Sequence, residues 1–160
     1  MIKIHVNNEK ETMKLGQVIG NYIVPGMVIC LQGDLGTGKT TLTKGIVKGF
    51  GINDSVTSPT FTIINQYEGK NNLYHIDTYR IESSEEMIDL GVEDYLPAND
   101  GVTVVEWPEL IENLLPKDRI ILSFFAKGDN QRDISIYIKG DNPDYEKFLQ
   151  ELNKHDSIGN

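Results

Sequence analysis

A single cysteine, Cys30, leaves this chain of 160 residues without an internal disulfide, and its place inside the apolar run Met27-Val28-Ile29-Cys30-Leu31 reads as core filler rather than reactive thiol. The histidines His5, His75 and His155 stand too far from one another and from Cys30 to share zinc-ligand spacing, which argues against a zinc centre. Positive charge is scarce: 15 Lys and Arg face 24 Asp and Glu, a formal net charge of -9. That balance removes the attraction to phosphate on which autonomous nucleic-acid binding depends, so any link to RNA is expected to run through a partner. No apolar run is long enough to span a bilayer, and Met1 to Val6 alternates like a strand rather than a signal peptide, so the expectation is a cytoplasmic protein with no membrane contact. Repeats, low-complexity tracts and long linkers are missing too. Residues 1–152 are therefore expected to form one domain, followed by a disordered polar tail over 153–160.

What the chain does have is glycine where it counts. Gly33-Asp34-Leu35-Gly36-Thr37-Gly38-Lys39-Thr40 fits the phosphate-loop pattern G-x-x-x-x-G-K-[ST], and Thr41 follows it. Glycines let backbone N–H groups close around phosphate oxygens, a lysine reaches the outer phosphates, and a hydroxyl holds magnesium. The pattern follows a run that reads as a buried strand. It precedes Leu42, Ile46, Val47 and Phe50, the spacing of one helix face, with Gly51 to end it. Strand, loop and helix thus stand in the required order, and a glycine-rich turn that binds nothing would not need the Lys-Thr pair. The implied ligand is a nucleoside triphosphate.

Periodicity predicts strands over Ile2 to Val6, Thr60 to Tyr67, Asn72 to Asp77, Val102 to Glu106, Arg119 to Phe125 and Ile134 to Ile138. Helices are predicted over Glu11 to Tyr22, Ser84 to Leu90, Pro108 to Leu114 and Asp144 to Leu152. The turn Glu68-Gly69-Lys70-Asn71 is too short for a crossover helix, so the strands it joins should form an antiparallel hairpin. The expected fold is α/β: a P-loop NTPase fold with a mixed, mostly parallel sheet flanked by helices.

Two carboxylates end apolar runs where a phosphate loop needs them, Asp77 after Leu73-Tyr74-His75-Ile76 and Glu106 after Val102-Thr103-Val104-Val105. Each is a candidate to position magnesium or the attacking water. A solvated strand end for Glu106, or an ion pair of Asp77 with His75 or Arg80, is the plainer alternative. The hydroxyl-rich segment around Ser58, Pro59 and Thr60 reads either as a γ-phosphate switch or as an ordinary turn. Trp107, between Glu106 and Pro108, could face the site or simply fill core. Asn153-Lys154-His155-Asp156 spells the guanine-reading N-K-x-D, but it trails the last helix instead of a buried strand, and Asp77 is followed three residues on by Arg80 rather than glycine; ATP is favoured over GTP.

Taken in order, Gly33 to Thr41, Ser58-Pro59-Thr60-Phe61, His75-Ile76-Asp77-Thr78-Tyr79-Arg80 and Val105-Glu106-Trp107-Pro108 resemble the TsaE (YjeE) family across roughly residues 5 to 140. The resemblance implies an ATPase that works with TsaB and TsaD to form threonylcarbamoyladenosine at adenosine 37 of tRNAs reading codons that begin with A, touching tRNA only through the complex. By motif position, Lys39 would contact the β and γ phosphates, Thr40 and Glu106 would hold magnesium, Asp77 would support the water or metal shell, and Ser58 to Thr60 would switch. The resemblance also points to Glu9, Thr12, Gly128 and Arg132 beside the base. With only Arg80, Arg119 and Arg132 available, no obvious arginine finger offers itself, and hydrolysis is expected to be slow without partners. A small-molecule P-loop kinase, which needs a lid with several arginines, and a non-catalytic nucleotide switch are the competing readings.

Overall fold

Val28–Gln32 (β2) is apolar on both faces, and in the computed structural model, which describes residues 1–56 and 63–155, it lies in the middle of a seven-stranded sheet. The other strands are Ile2–Val6 (β1), Ile64–Tyr67 (β3), Asn72–Asp77 (β4), Gly101–Glu106 (β5), Arg119–Ala126 (β6) and Arg132–Lys139 (β7), and the order across the sheet is β1-β7-β6-β2-β5-β4-β3. β2 pairs in parallel with β5 and β6, and β4 with β5; β1, β3 and β7 pair antiparallel with their neighbours. Five strands therefore run one way and only β3 and β7 run against them. The hairpin expected across residues 68–71 joins β3 to β4.

Two layers cover the sheet. Glu9–Tyr22 (α1), Lys39–Gly49 (α2) and Pro143–Asn153 (α4) send Leu15, Ile19, Leu42, Ile46, Phe148 and Leu152 into one cluster with Ile29 and Leu31. On the other face Val28 and Cys30 pack with Met87 of Ser84–Asp89 (α3), with Val92, and with Ile111. The alternation along β2 thus feeds both layers. Among the described residues no helix is long and apolar enough to cross a membrane.

Several boundaries differ from those read in the sequence. α1 begins at Glu9, two residues early, because Asn8 Oδ1 accepts from the Glu11 N–H at 2.9 Å and Glu11 Oε2 accepts in turn from the Asn7 N–H at 2.7 Å. β3 is described from Ile64, the first residues expected of that strand, 60–62, lying outside the described residues. Pro108–Leu114 forms 3-10 turns instead of an α-helix: Ile111 breaks it at φ -124°, ψ 28°, and its side chain is fully buried. β7 begins at Arg132, which pairs with Val6 of β1. α4 extends to Asn153, the first residue assigned to the polar tail.

α1 and α2 meet backbone to backbone. A Cβ on Gly16 would lie 2.3 Å from the Leu42 carbonyl oxygen, one on Gly20 2.4 Å from that of Ile46, one on Gly45 2.2 Å from that of Met13, and one on Gly49 2.1 Å from that of Gln17. The two glycine pairs, each four residues apart, let the helices cross with nothing between their main chains. Alanine gains helix propensity but must push backbone aside, and overpacking outweighs propensity. Gly45→Ala is expected to destabilise the fold by about 2 kcal/mol or more, read from the midpoint of urea unfolding.

Cys30 is 1% exposed, and burial pushes its thiol up to about 12. Reactivity requires the thiolate. Iodoacetamide should therefore leave Cys30 unmodified in the native protein and label it fully in urea, as followed by intact mass.

Candidate nucleotide site

The loop after β2 bends through three glycines with positive φ, Gly33 (151°), Gly36 (74°) and Gly38 (101°), the last forming the left-handed residue at which α2 starts. Side chains from the same loop hold it: Thr37 Oγ1 donates to the Asp34 carbonyl at 2.7 Å, and Lys39 Nζ donates to the carbonyls of Gly33 and, at 2.9 Å, Asp34. The ammonium also lies 4.1 Å from the centroid of the Trp107 ring. Burial lowers the Lys39 pKa, opposed by the negative charges of Glu106, Glu109, Asp77 and Asp34.

Trp107 sits at φ 60°, ψ 53°, the one described non-glycine residue with positive φ. Such a conformation costs of order 1 kcal/mol or more and persists only where the surroundings impose it. Here Thr78 Oγ1 donates to its carbonyl, its own N–H donates to Leu31 at 3.3 Å, and the Tyr79 ring packs 4.9 Å away. The indole is thereby a wall of the site, the first of the two roles open to it in the sequence.

Parallel pairing sets the carboxylates. Leu31 of β2 is in register with Glu106 of β5, and Glu106 with Asp77 of β4, so three strands end level just where the phosphate loop begins. Glu106 is 3% exposed; its Oε1 accepts from Thr40 Oγ1 at 3.3 Å, and its Oε2 meets Nε2 of His75. Asp77 Oδ1 accepts from the Tyr79 N–H at 2.9 Å, and burial, with Glu106 adding to it, raises its pKa. Glu106 is therefore not a solvated strand end, and His75 meets Glu106 rather than Asp77. A hydroxyl beside a carboxylate oxygen is a donor set suited to magnesium, which takes few protein ligands and several from water and phosphate. Among the described residues no group of three or more His, Cys, Asp and Glu could hold a metal ion.

A cavity of about 410 Å³ opens here, lined by residues 35–41 and by Asp77, Glu106 and Trp107. Leu35, 64% exposed, stands at its edge, while Gly33 and Asp34 contribute carbonyls to Lys39 rather than lining. Ile63, Tyr79 and Arg80 line it as well, the last two belonging to the motif quoted from the sequence but given no place in the nucleotide site there. Arg80 carried a usable signal, standing three residues past a strand-end carboxylate. Ser58, Pro59 and Thr60 lie outside the described residues.

A second hollow of about 310 Å³ adjoins the loop, lined by Glu9, Thr12, Thr41, Asn130 and Arg132. Thr41 Oγ1 donates to Glu9 Oε1 at 3.1 Å, joining the starts of α1 and α2. Arg132 spends its donors on carbonyls: Nε on Thr37, Nη1 on Gly128 and Gln131, Nη2 on Gly36 and Asp129. Gly128 thus enters as an acceptor for Arg132, and Asn130, absent from the expected set, enters as a wall. The described part of the N-K-x-D string, residues 153–155, is remote, for His155 packs on Tyr22 at the end of α1 opposite Glu9, about 20 Å along the helix.

A fork that ties two loops is not replaced by a single ammonium. Arg132→Lys should speed amide hydrogen exchange in Gly36 to Gly38 about tenfold, the size of one lost charge-assisted hydrogen bond, without a matching change in α4.

A buried strand feeding a glycine loop, a Lys-Thr helix start and a carboxylate on the adjacent parallel strand define a P-loop NTPase fold. The crystal structure of Bacillus subtilis YdiB superposes with a TM-score of 0.81 at 38% identity, covering 98% of each chain. The chain belongs to the TsaE family, whose model, described as threonylcarbamoyl adenosine biosynthesis protein TsaE, matches residues 6–134. The tRNA threonylcarbamoyladenosine biosynthesis protein TsaE of Bacillus subtilis is 42% identical over 160 residues, covering 99% of this chain and 98% of that one. Its counterpart in Treponema pallidum is 38% identical over 127 residues, covering 79% and 93%.

Proposed function

We propose that this chain is a magnesium-dependent ATPase of the cytoplasm that works with TsaB and TsaD to form threonylcarbamoyladenosine at adenosine 37 of tRNAs reading codons that begin with A. The observation that carries the reading is the meeting of Lys39, Thr40 and Glu106 in one cavity beside the phosphate loop. The loop N–H groups, at the N-terminus of α2, attract the phosphates. Lys39 exchanges two carbonyls and the face of Trp107 for the outer phosphate oxygens. Magnesium, held by Thr40 and Glu106, would offset negative charge on the β and γ phosphates. Asp77, at the level of Glu106 on the neighbouring strand, orients the attacking water.

A short supply of arginine supports a slow reaction in isolation, two of the three being engaged elsewhere. Arg119 is taken by Glu112 and the Pro116 carbonyl, Arg132 by the loops it ties, and Arg80 alone of the three lines the main cavity. The same shortage counts against a kinase lid. A net charge of -9 fits a protein that meets tRNA only through its partners.

ATP hydrolysis by the purified protein with magnesium, alone and with TsaB and TsaD, tests this. Partner-stimulated turnover should fall about a hundredfold or more in Lys39→Ala and in Glu106→Ala. Equal rates with and without the partners, or no turnover in any mixture, would refute it.

A further inference from the structure

His75 is wholly buried and takes no part in the chemistry above. It stands two residues before Asp77 on β4, so the two side chains leave the strand on one face, the face Glu106 shares through its register with Asp77. Nε2 meets Glu106 Oε2, whereas Nδ1 is buried with no hydrogen-bond partner among the described residues. A proton on Nδ1 would be a donor with nothing to accept it. A single proton on Nε2 serves the contact and leaves only an unused acceptor. The ring is therefore built to deliver one directed N–H bond to one oxygen of Glu106, and the other oxygen is the one that Thr40 Oγ1 reaches at 3.3 Å.

We propose that His75 is a positioning residue: by donating Nε2–H to Oε2 it turns Oε1 of Glu106 toward the Thr40 hydroxyl and so sets the carboxylate for a magnesium ion carried by the nucleotide. Its functional consequence rests on the magnesium-nucleotide reading above. A core histidine that merely fills space would support stability and leave magnesium affinity alone. A ligand-orienting partner sets metal affinity, by about 10- to 100-fold where such partners are removed.

The single tryptophan, with Lys39 Nζ 4.1 Å over its ring, supplies the readout. Magnesium is titrated into protein with saturating ADP, following Trp107 fluorescence in wild type, His75→Gln and His75→Asn. The glutamine amide reaches as far as Nε2 and keeps the donor; the asparagine amide stops at the position of Nδ1. ADP affinity without magnesium should be the same in all three. The magnesium midpoint should rise about tenfold or more in His75→Asn and stay within about threefold in His75→Gln. A midpoint for His75→Asn within threefold of wild type, or one for His75→Gln displaced as far as for His75→Asn, overturns the proposal. A wild-type protein whose ADP binding ignores magnesium overturns the metal reading itself, and with it the role assigned to Oε1. The nitrogen resonances of the wild-type imidazole need neither variant nor metal. Nε2 protonated and Nδ1 bare upholds the directed bond, while a proton on Nδ1 alone overturns it.

Discussion

Glu106 is a carboxylate that is nearly excluded from water, and the rest of the site is arranged around what that exclusion requires. A buried carboxylate is tolerated only with compensation. Thr40 supplies a hydroxyl to one oxygen and His75 an imidazole to the other. The ammonium of Lys39 is nearby as countercharge: Glu106 resists the drop that burial imposes on the Lys39 pKa, and by like-charge repulsion it adds to the rise at Asp77. These groups come from three segments of the chain, the start of α2, β4 and the end of β5, and each meets a need created by burying the carboxylate.

That arrangement needs a rigid frame, which two features provide. The first is the level ending of β2, β5 and β4, fixed by parallel register, which brings the loop, Glu106 and Asp77 to one edge of the sheet. The second is the glycine crossing of α1 and α2. Because Gly16, Gly20, Gly45 and Gly49 bring the two backbones into contact, α1 cannot slide without moving α2, whose first residues are Lys39 and Thr40. The Glu9–Thr41 bond and the carbonyl contacts of Arg132 close the same assembly from the outside. Acting as one body, these elements hold the phosphate loop in shape, the kind of preorganisation that lowers the ordering cost of binding a ligand.

Trp107 shows how strain is used. The strand ends at Glu106, and a left-handed residue directly after it turns the chain so that the indole faces Lys39 instead of continuing along the sheet. Thr78 and Leu31 anchor the turn through the backbone, and Pro108 follows at the first position of the 3-10 segment. The motif Glu106-Trp107-Pro108 thus combines a carboxylate, a wall and a stop in three consecutive residues.

The phosphate loop, the strand-end carboxylates and the β3–β4 hairpin were legible in the sequence because each rests on local rules: glycine conformation, period-two burial, and a turn too short for a crossover. The cap that starts α1 early was written there too, in Asn8 and Glu11, but reading it needs the geometry of two donors at once. The 3-10 form of Pro108–Leu114 could not be read, since Ile111 leaves helical geometry only to reach a core built by distant strands. The donors of Arg132 found carbonyls in segments about 95 residues away, and His75, one of three histidines without ligand spacing, found Glu106 across a strand pair. By itself the sequence determined the phosphate loop, the α/β class and the family, because those depend on residue order and short spacing. The tertiary structure decided which oxygens face which donors, because parallel register and helix crossing join residues whose separation along the chain carries no information about their distance in space.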